Sequence, residues 1–170
     1  MAGFGMRKVT RSSYDEMLQK LPDLLKTEGF GVLTQIDVKE TLKKKLDVDF
    51  RPYKILGACN PPLAYRALTV APEVGLLLPC NVIVYEHGGK AVVSAIDAAK
   101  MMTVVGNQQL EVTAKQVNEK LRRVIDSDAK LAAFLPAIRD AAWVAVDTEA
   151  PRVAYRETIQ ASTTQHARYK

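Results

Sequence analysis

Two cysteines, Cys59 and Cys80, are the residues of this chain best suited to chemistry, and each is followed by an asparagine, Asn60 and Asn81. Cys59 stands where the apolar run Tyr53 to Ala58 gives way to Pro61-Pro62. Proline is tolerated in the first turn of a helix, so this pair predicts a helix start. Asn60 is then the residue that caps it. A sulfur just ahead of a helix lies close to unpaired N–H groups and to the positive end of the helix dipole, and both favour a thiolate. Cys80 follows Pro79 in a second apolar run. If the two runs pair side by side, the thiols can face one another.

Four chemistries fit such a pair. It can be a reversible redox couple, a soft ligand set for a metal or metal-containing cofactor, or a source of one nucleophile. It can also be two small buried hydrophobes in a packed sheet. Structural zinc usually takes four protein ligands at close paired spacings; here there is no CxxC, and only His87 and His166 can be added, so no metal site is expected and no particular cofactor is indicated. A nucleophile wants a base beside it, and His87 falls in a glycine turn that need not approach Cys59. Asn60, Pro61, Pro62, Tyr65 and Arg66 either line a small-molecule pocket with Cys59 or form a rigid turn. Tyr53 and Tyr85 are pocket walls or sheet packing. Met101 and Met102 fill a core, a dimer seam or an adaptable contact. Gly75 and Gly106 do not form a phosphate loop, because no glycine cluster leads into the Lys and Ser/Thr that such a loop requires.

The elements that must position these residues are legible in part. A first strand is predicted over Gly5–Thr10. Ser12 or Ser13 then caps a helix, and Glu16, three residues after Ser13, completes a capping box. Met17, Leu18, Leu21, Leu24 and Leu25 make one apolar face; Pro22 should kink or tighten this helix, and Gly29 ends it. Phe30–Asp37 reads as a strand, and Asp37 caps a short helix from Val38 to Leu46. Tyr53–Ala58 is the next strand, and the Pro61 helix runs to about Thr69. Leu76–Tyr85 reads as a long strand interrupted by Pro79, which argues for an edge strand or a bulge. His87-Gly88-Gly89 makes a hairpin turn into Lys90–Ile96. A short helix follows from Asp97 to Val104. Asn107–Ile125 is the clearest helix, with Leu110, Ala114, Val117, Leu121, Val124 and Ile125 on one stripe. This order predicts an α+β domain, an antiparallel sheet with helices on one face.

Composition agrees with a globular domain: 170 residues, 48% hydrophobic and 25% charged. The net charge of +5 is spread along the chain, and the one tight run, Lys43 to Lys45, is flanked by Glu40 and Asp47. Solvated helix faces explain it better than nucleic acid does. No apolar run is long enough to span a bilayer, and the first residues lack the pattern of a signal peptide, so no membrane partner and a cytoplasmic location are expected. Two cysteines do not make a disulfide scaffold.

The stretch Glu28 to Lys39, followed by Asp49-Phe-Arg-Pro-Tyr-Lys-Ile-Leu-Gly-Ala-Cys-Asn-Pro-Pro, resembles the domain-of-unknown-function 302 family. So do Gly75-Leu-Leu-Leu-Pro-Cys-Asn-Val-Ile-Val-Tyr-Glu and the acidic-then-small pattern at Ile96-Asp97. The resemblance covers about residues 7–127. It implies a two-layer α+β domain of TATA-binding-protein-like topology that self-associates, a homodimer being the simplest form. It implies no activity.

The domain is therefore expected to span 1–128, with a C-terminal extension over 129–170. Lys130 to Ala150 resembles the start of a ribonuclease D-type exonuclease, with Asp147 and Glu149 matching its first acidic motif. Two carboxylates on alternate strand residues can share a divalent metal. The further acidic residues of a two-metal nuclease do not follow before Lys170, so independent hydrolase activity is not expected. Residues 151–160 resemble the start of the fourth domain of elongation factor G. A helix over Lys130–Asp140, strands over Trp143–Asp147 and Arg152–Thr158, and a mobile end are expected. The leading functional expectation is a small cytosolic binding or redox-associated domain with its thiol site at Cys59 and Cys80. The alternatives are a purely structural or homo-oligomeric interaction module, and a nuclease fragment acting through Asp147 and Glu149.

Overall fold

The computed structural model describes residues 4–127. The expectations for residues 129–170, including the domain boundary, Asp147 and Glu149, lie outside the described residues. The elements run β1 (Gly5–Val9), α1 (Tyr14–Thr27), β2 (Gly31–Asp37), α2 (Val38–Leu46), β3 (Tyr53–Cys59) and α3 (Pro61–Val70). A 3-10 helix (Pro72–Leu77), β4 (Cys80–His87), β5 (Lys90–Ile96), α4 (Ala98–Val105) and α5 (Gln108–Ser127) complete the domain. All strand pairs are antiparallel, and the sheet order is β1-β5-β4-β3-β2. Strands β2 to β5 thus form a meander, and β1 adds to its free side at β5.

Local chemistry explains why the helices start where they do. Ser13 and Glu16 make the reciprocal capping box, in which the Ser13 N–H donates to the Glu16 carboxylate at 2.9 Å. Asp37 caps α2 through the Glu40 N–H, and Asp97 caps α4 through the Lys100 N–H. Helix α1 runs through Pro22 to Thr27. Its apolar stripe, Met17, Leu21 and Leu25, is buried on both sides of the proline, and that burial holds the helix across the lost hydrogen bond.

Helices α1 and α5 cover one sheet face. Met17, Leu21, Leu25, Leu121 and Val124 pack there with Leu56, Ala58, Val82, Val84 and Val93. The whole predicted α5 stripe is buried. Each large aliphatic side chain so buried contributes roughly 1.5–3 kcal/mol of transfer free energy.

The segment around Pro79 differs from its predicted form. Pro72–Leu77 is a 3-10 helix rather than the start of a strand, and β4 begins only at Cys80. Pro79 precedes the strand, after a cis Leu78–Pro79 bond, and so takes no place in the ladder. Strand β4 lies between β3 and β5, in the sheet interior and not at an edge. Pro79 packs against the open space above Gly57: a Cβ at Gly57 would meet the Pro79 ring at 2.6 Å and collide with the Thr34 hydroxyl. The glycine is what lets the loop cross the sheet there.

Candidate functional site

Cys59 ends β3, and Cys80 begins the neighbouring strand β4. The strands are adjacent as expected, but the register is offset by one residue. Cys80 pairs with Ala58, and Cys59 pairs with Gly31 on β2. Because successive strand side chains point to opposite faces, this offset of one residue means that the thiols are not cross-strand partners. Both are free thiols; Cys59 is half-buried and Cys80 is buried.

Asn60 fixes this corner of the molecule. It is only 8% exposed, and both ends of its amide are engaged. Its Oδ1 accepts from the Leu63 N–H at 3.3 Å, which caps α3, and its Nδ2 donates to the Glu28 carbonyl at 3.2 Å. Gly29, next to that carbonyl, has φ +81°, and a Cβ there would stand 2.9 Å from the Asn60 Nδ2. The α1–β2 turn and the start of α3 are thereby joined. The same turn is clamped from α5. Lys120 donates to the Glu28 carbonyl at 3.1 Å, and Arg123 grips the Glu28 carboxylate through two bonds of 2.8 Å. That guanidinium holds the Glu28 carboxyl below the usual carboxylate range.

The expected thiolate at Cys59 is not what this corner favours. Pro61 and Pro62 carry no N–H, the Leu63 N–H is taken by the Asn60 side chain, and the Ala64 N–H donates to the Asn60 carbonyl at 2.9 Å. Helix α3 thus begins with no unpaired amide to offer a sulfur. Burial pushes the Cys59 thiol up from its ordinary value. It pushes Cys80 further, to about 11, with the neighbouring Cys59 adding to the effect. Near neutral pH both sulfurs are protonated.

Cys59, Asn60 and Cys80 border one apolar cavity of about 40 Å³, closed chiefly by Leu63, Val74, Met102 and Leu110. A single water needs roughly 10–15 Å³ by this measure, and drug-sized ligands occupy pockets of roughly 300–1,000 Å³. The space fits a methyl-sized or short alkyl group and must open for anything larger. Of the other expected site residues, Pro61 does not line the cavity, and Asn81 is exposed on β4 opposite Gly57. Tyr65 is 74% exposed and Arg66 turns to Gln116 at 2.7 Å. His87 lies at the far end of β4, about 24 Å from Cys80 at about 3.4 Å per residue, so it is no base for either thiol. Among the described residues no three His, Cys, Asp or Glu side chains gather to hold a metal. No helix among them is long and apolar enough to cross a membrane.

The sequence reading missed the far walls of the cavity. Val74, Leu77 and Leu78 were expected in or beside a strand, and Thr113 and Ala114 carried no sign beyond α5 periodicity. It also missed the clamp on Glu28, for which the one local signal is the left-handed Gly29.

Fold and site together define a two-layer α+β domain with a thiol-bordered apolar cleft at the end of its sheet. The profile of the Domain of unknown function DUF302 matches residues 6–127, and the chain belongs to that family. It is similar to the crystal structure of the uncharacterized conserved protein DUF302 from Bacillus stearothermophilus. That likeness has a TM-score of 0.70 and 32% identity, and covers 74% of this chain and 98% of the other. No curated protein matches the chain.

Proposed function

We propose that this domain is a small cytosolic binding or redox-associated module whose site is the cleft bordered by Cys59 and Cys80. One observation carries the reading: two thiols that are distant in sequence border the same apolar cavity, at a corner held by Asn60. The ligand class that fits is a small apolar group, with the flexible Met102 side chain allowing the wall to adapt. Pro61 frames the mouth by starting α3, and Asn81 stays at the outer margin of the site. Cys59, the more open sulfur, is the one that reacts. In exchange with a small disulfide its sulfur bonds to one sulfur of the reagent, and the other leaves as a thiol.

Xenon is a suitable probe for such a cavity. Under xenon pressure, the methyl signals of Leu63, Met102 and Leu110 in the full chain should shift and saturate. Ala67→Leu, which fills the cavity, should abolish the effect. Unmoved methyl signals in the unsubstituted protein would remove the binding reading.

A second reading, a homo-oligomeric interaction module, is favoured by a separate observation. Large apolar side chains stand exposed away from the cleft, among them Ile36 at 49% and Phe50 at 38%.

A further inference from the structure

The helices cover one face of the sheet, and the strand register identifies what lies on the other. One row crosses all five strands as Arg7, Ser94, Ile83, Ile55 and Ile36. Its three isoleucines are direct cross-strand neighbours and form a continuous apolar strip over β4, β3 and β2. None of them belongs to the buried core on the helix side. Beside the strip, Tyr53 and Tyr85 stack with ring centroids 5.5 Å apart. Phe50 extends this aromatic end, 6.1 Å from Tyr53 and exposed.

The charge on this face has one sign. By register Arg7 lies there on β1 and Lys90 on β5. Arg51 is exposed just ahead of β3 and lies over the Phe50 ring at 5.8 Å and the Tyr85 ring at 6.0 Å. With five N–H donors, a guanidinium so placed can hold a phosphate as well as a ring. The nearby carboxylates are engaged elsewhere. Asp37 pairs with Lys54 at 3.7 Å, Asp49 pairs with Lys43 at 3.3 Å, and Glu86 borders a cavity with Tyr14 of α1 on the helix side. Among the described residues, register places no carboxylate on the open face.

An anionic partner complements such a face, and the spacing of the cations asks for an extended one. Arg51 stands two to three strand spacings from Lys90 and Arg7, roughly 10–14 Å, so a single phosphate does not reach both sides. Between them lie the aromatic rings and the apolar strip. A chain that alternates phosphates with planar bases meets both features: cations track its backbone, and bases stack on exposed rings. A duplex keeps its base faces inside, and an acidic peptide brings no regular series of planar groups. The overall charge of the chain, spread along its length, does not select this partner; the cations and rings gathered on one face do.

We infer that the open sheet face binds single-stranded nucleic acid, with Phe50 as a stacking platform and Arg7, Arg51 and Lys90 on the phosphates. The inference is independent of the cleft reading. Fluorescence anisotropy tests it, with an end-labelled oligothymidylate of about 15 nucleotides titrated with the full chain between about 50 and 200 mM salt. Three phosphate contacts predict a slope of log K against log salt of about −2. Arg51→Ala should reduce the slope to about −1.4 and weaken binding severalfold. Phe50→Ala should weaken binding about fivefold or more with the slope unchanged, because stacking releases no counterions. Lys115→Ala, at an exposed position on α5, should change neither. No binding by the unsubstituted chain at the lowest salt overturns the inference. Equal weakening by Lys115→Ala also overturns it, by assigning the binding to net charge. Equally tight binding of a duplex of the same length overturns the single-strand preference. Displacement of the oligonucleotide by polyglutamate at equal charge overturns it in favour of an acidic protein segment.

Discussion

At the scale of single residues, Cys59 and Asn60 do different work although they are adjacent. Cys59 is chemically available but not activated, because α3 has no free amide for its sulfur and burial disfavours the charge. Alkylation should therefore proceed at Cys59 well ahead of Cys80. Its rate should keep rising above the ordinary thiol pKa; per-residue mass spectrometry against pH reads both. A Cys59 profile that levels off below the ordinary value would mean a thiolate that these contacts do not explain. Asn60 is structural. Removing its side chain in Asn60→Ala uncaps α3 and releases the Glu28 carbonyl, and should cost about 1–2 kcal/mol in chemical denaturation. The cysteines, the asparagine cap and the helix start were all readable from the local run Cys59-Asn60-Pro61-Pro62. The absence of free N–H groups was readable there too, since each proline removes a donor. What the run does not contain is the Glu28 carbonyl, which approaches Asn60 only in the folded chain.

At the scale of elements, periodicity and caps located the helices well. α5 was legible because its whole apolar stripe is buried against the sheet and α1. The stretch before β4 was not. Val74, Leu77 and Leu78 have strand-like composition, but Pro72 and Pro79 bracket them. Val74 and Leu77 lie in the 3-10 helix and Leu78 follows it, with Val74 buried beside Ala67 of α3 and Leu110 of α5. The crossing at Gly57 follows from this. Gly57→Ala should destabilise by about 1–3 kcal/mol, as the new methyl meets Thr34 and Pro79. Differential scanning calorimetry beside the parent protein measures it. The α5 clamp on Glu28 gives a pH signature. Arg123 depresses the Glu28 pKa, so its stabilisation is complete above the unfolded carboxylate value and is lost as pH falls through the lower folded value. The melting temperatures of the parent and Glu28→Gln should differ at neutral pH and converge in acid. A difference that persists in acid would assign it to something other than the ion pair.

At the scale of the whole molecule, the two faces of one sheet differ in what they present. The helix-covered face ends in the cleft of Cys59 and Cys80, and the open face presents the isoleucine strip. The family resemblance was carried by long ordered matches in the sequence, and the matched span of residues 6–127 agrees with it. The cavity walls were beyond sequence reading because they come from α3, the 3-10 helix, α4 and α5, whose relative placement no local pattern encodes. The cleft reading is tested most directly by the rate of Cys59 alkylation in the full chain, with and without saturating xenon. If Cys59 belongs to the cleft, xenon should slow its alkylation severalfold and leave a peptide thiol reagent control unchanged. An equal rate in both conditions, with xenon bound at the Leu63 and Leu110 methyl groups, would separate the cysteine from the cavity and contradict the proposed site.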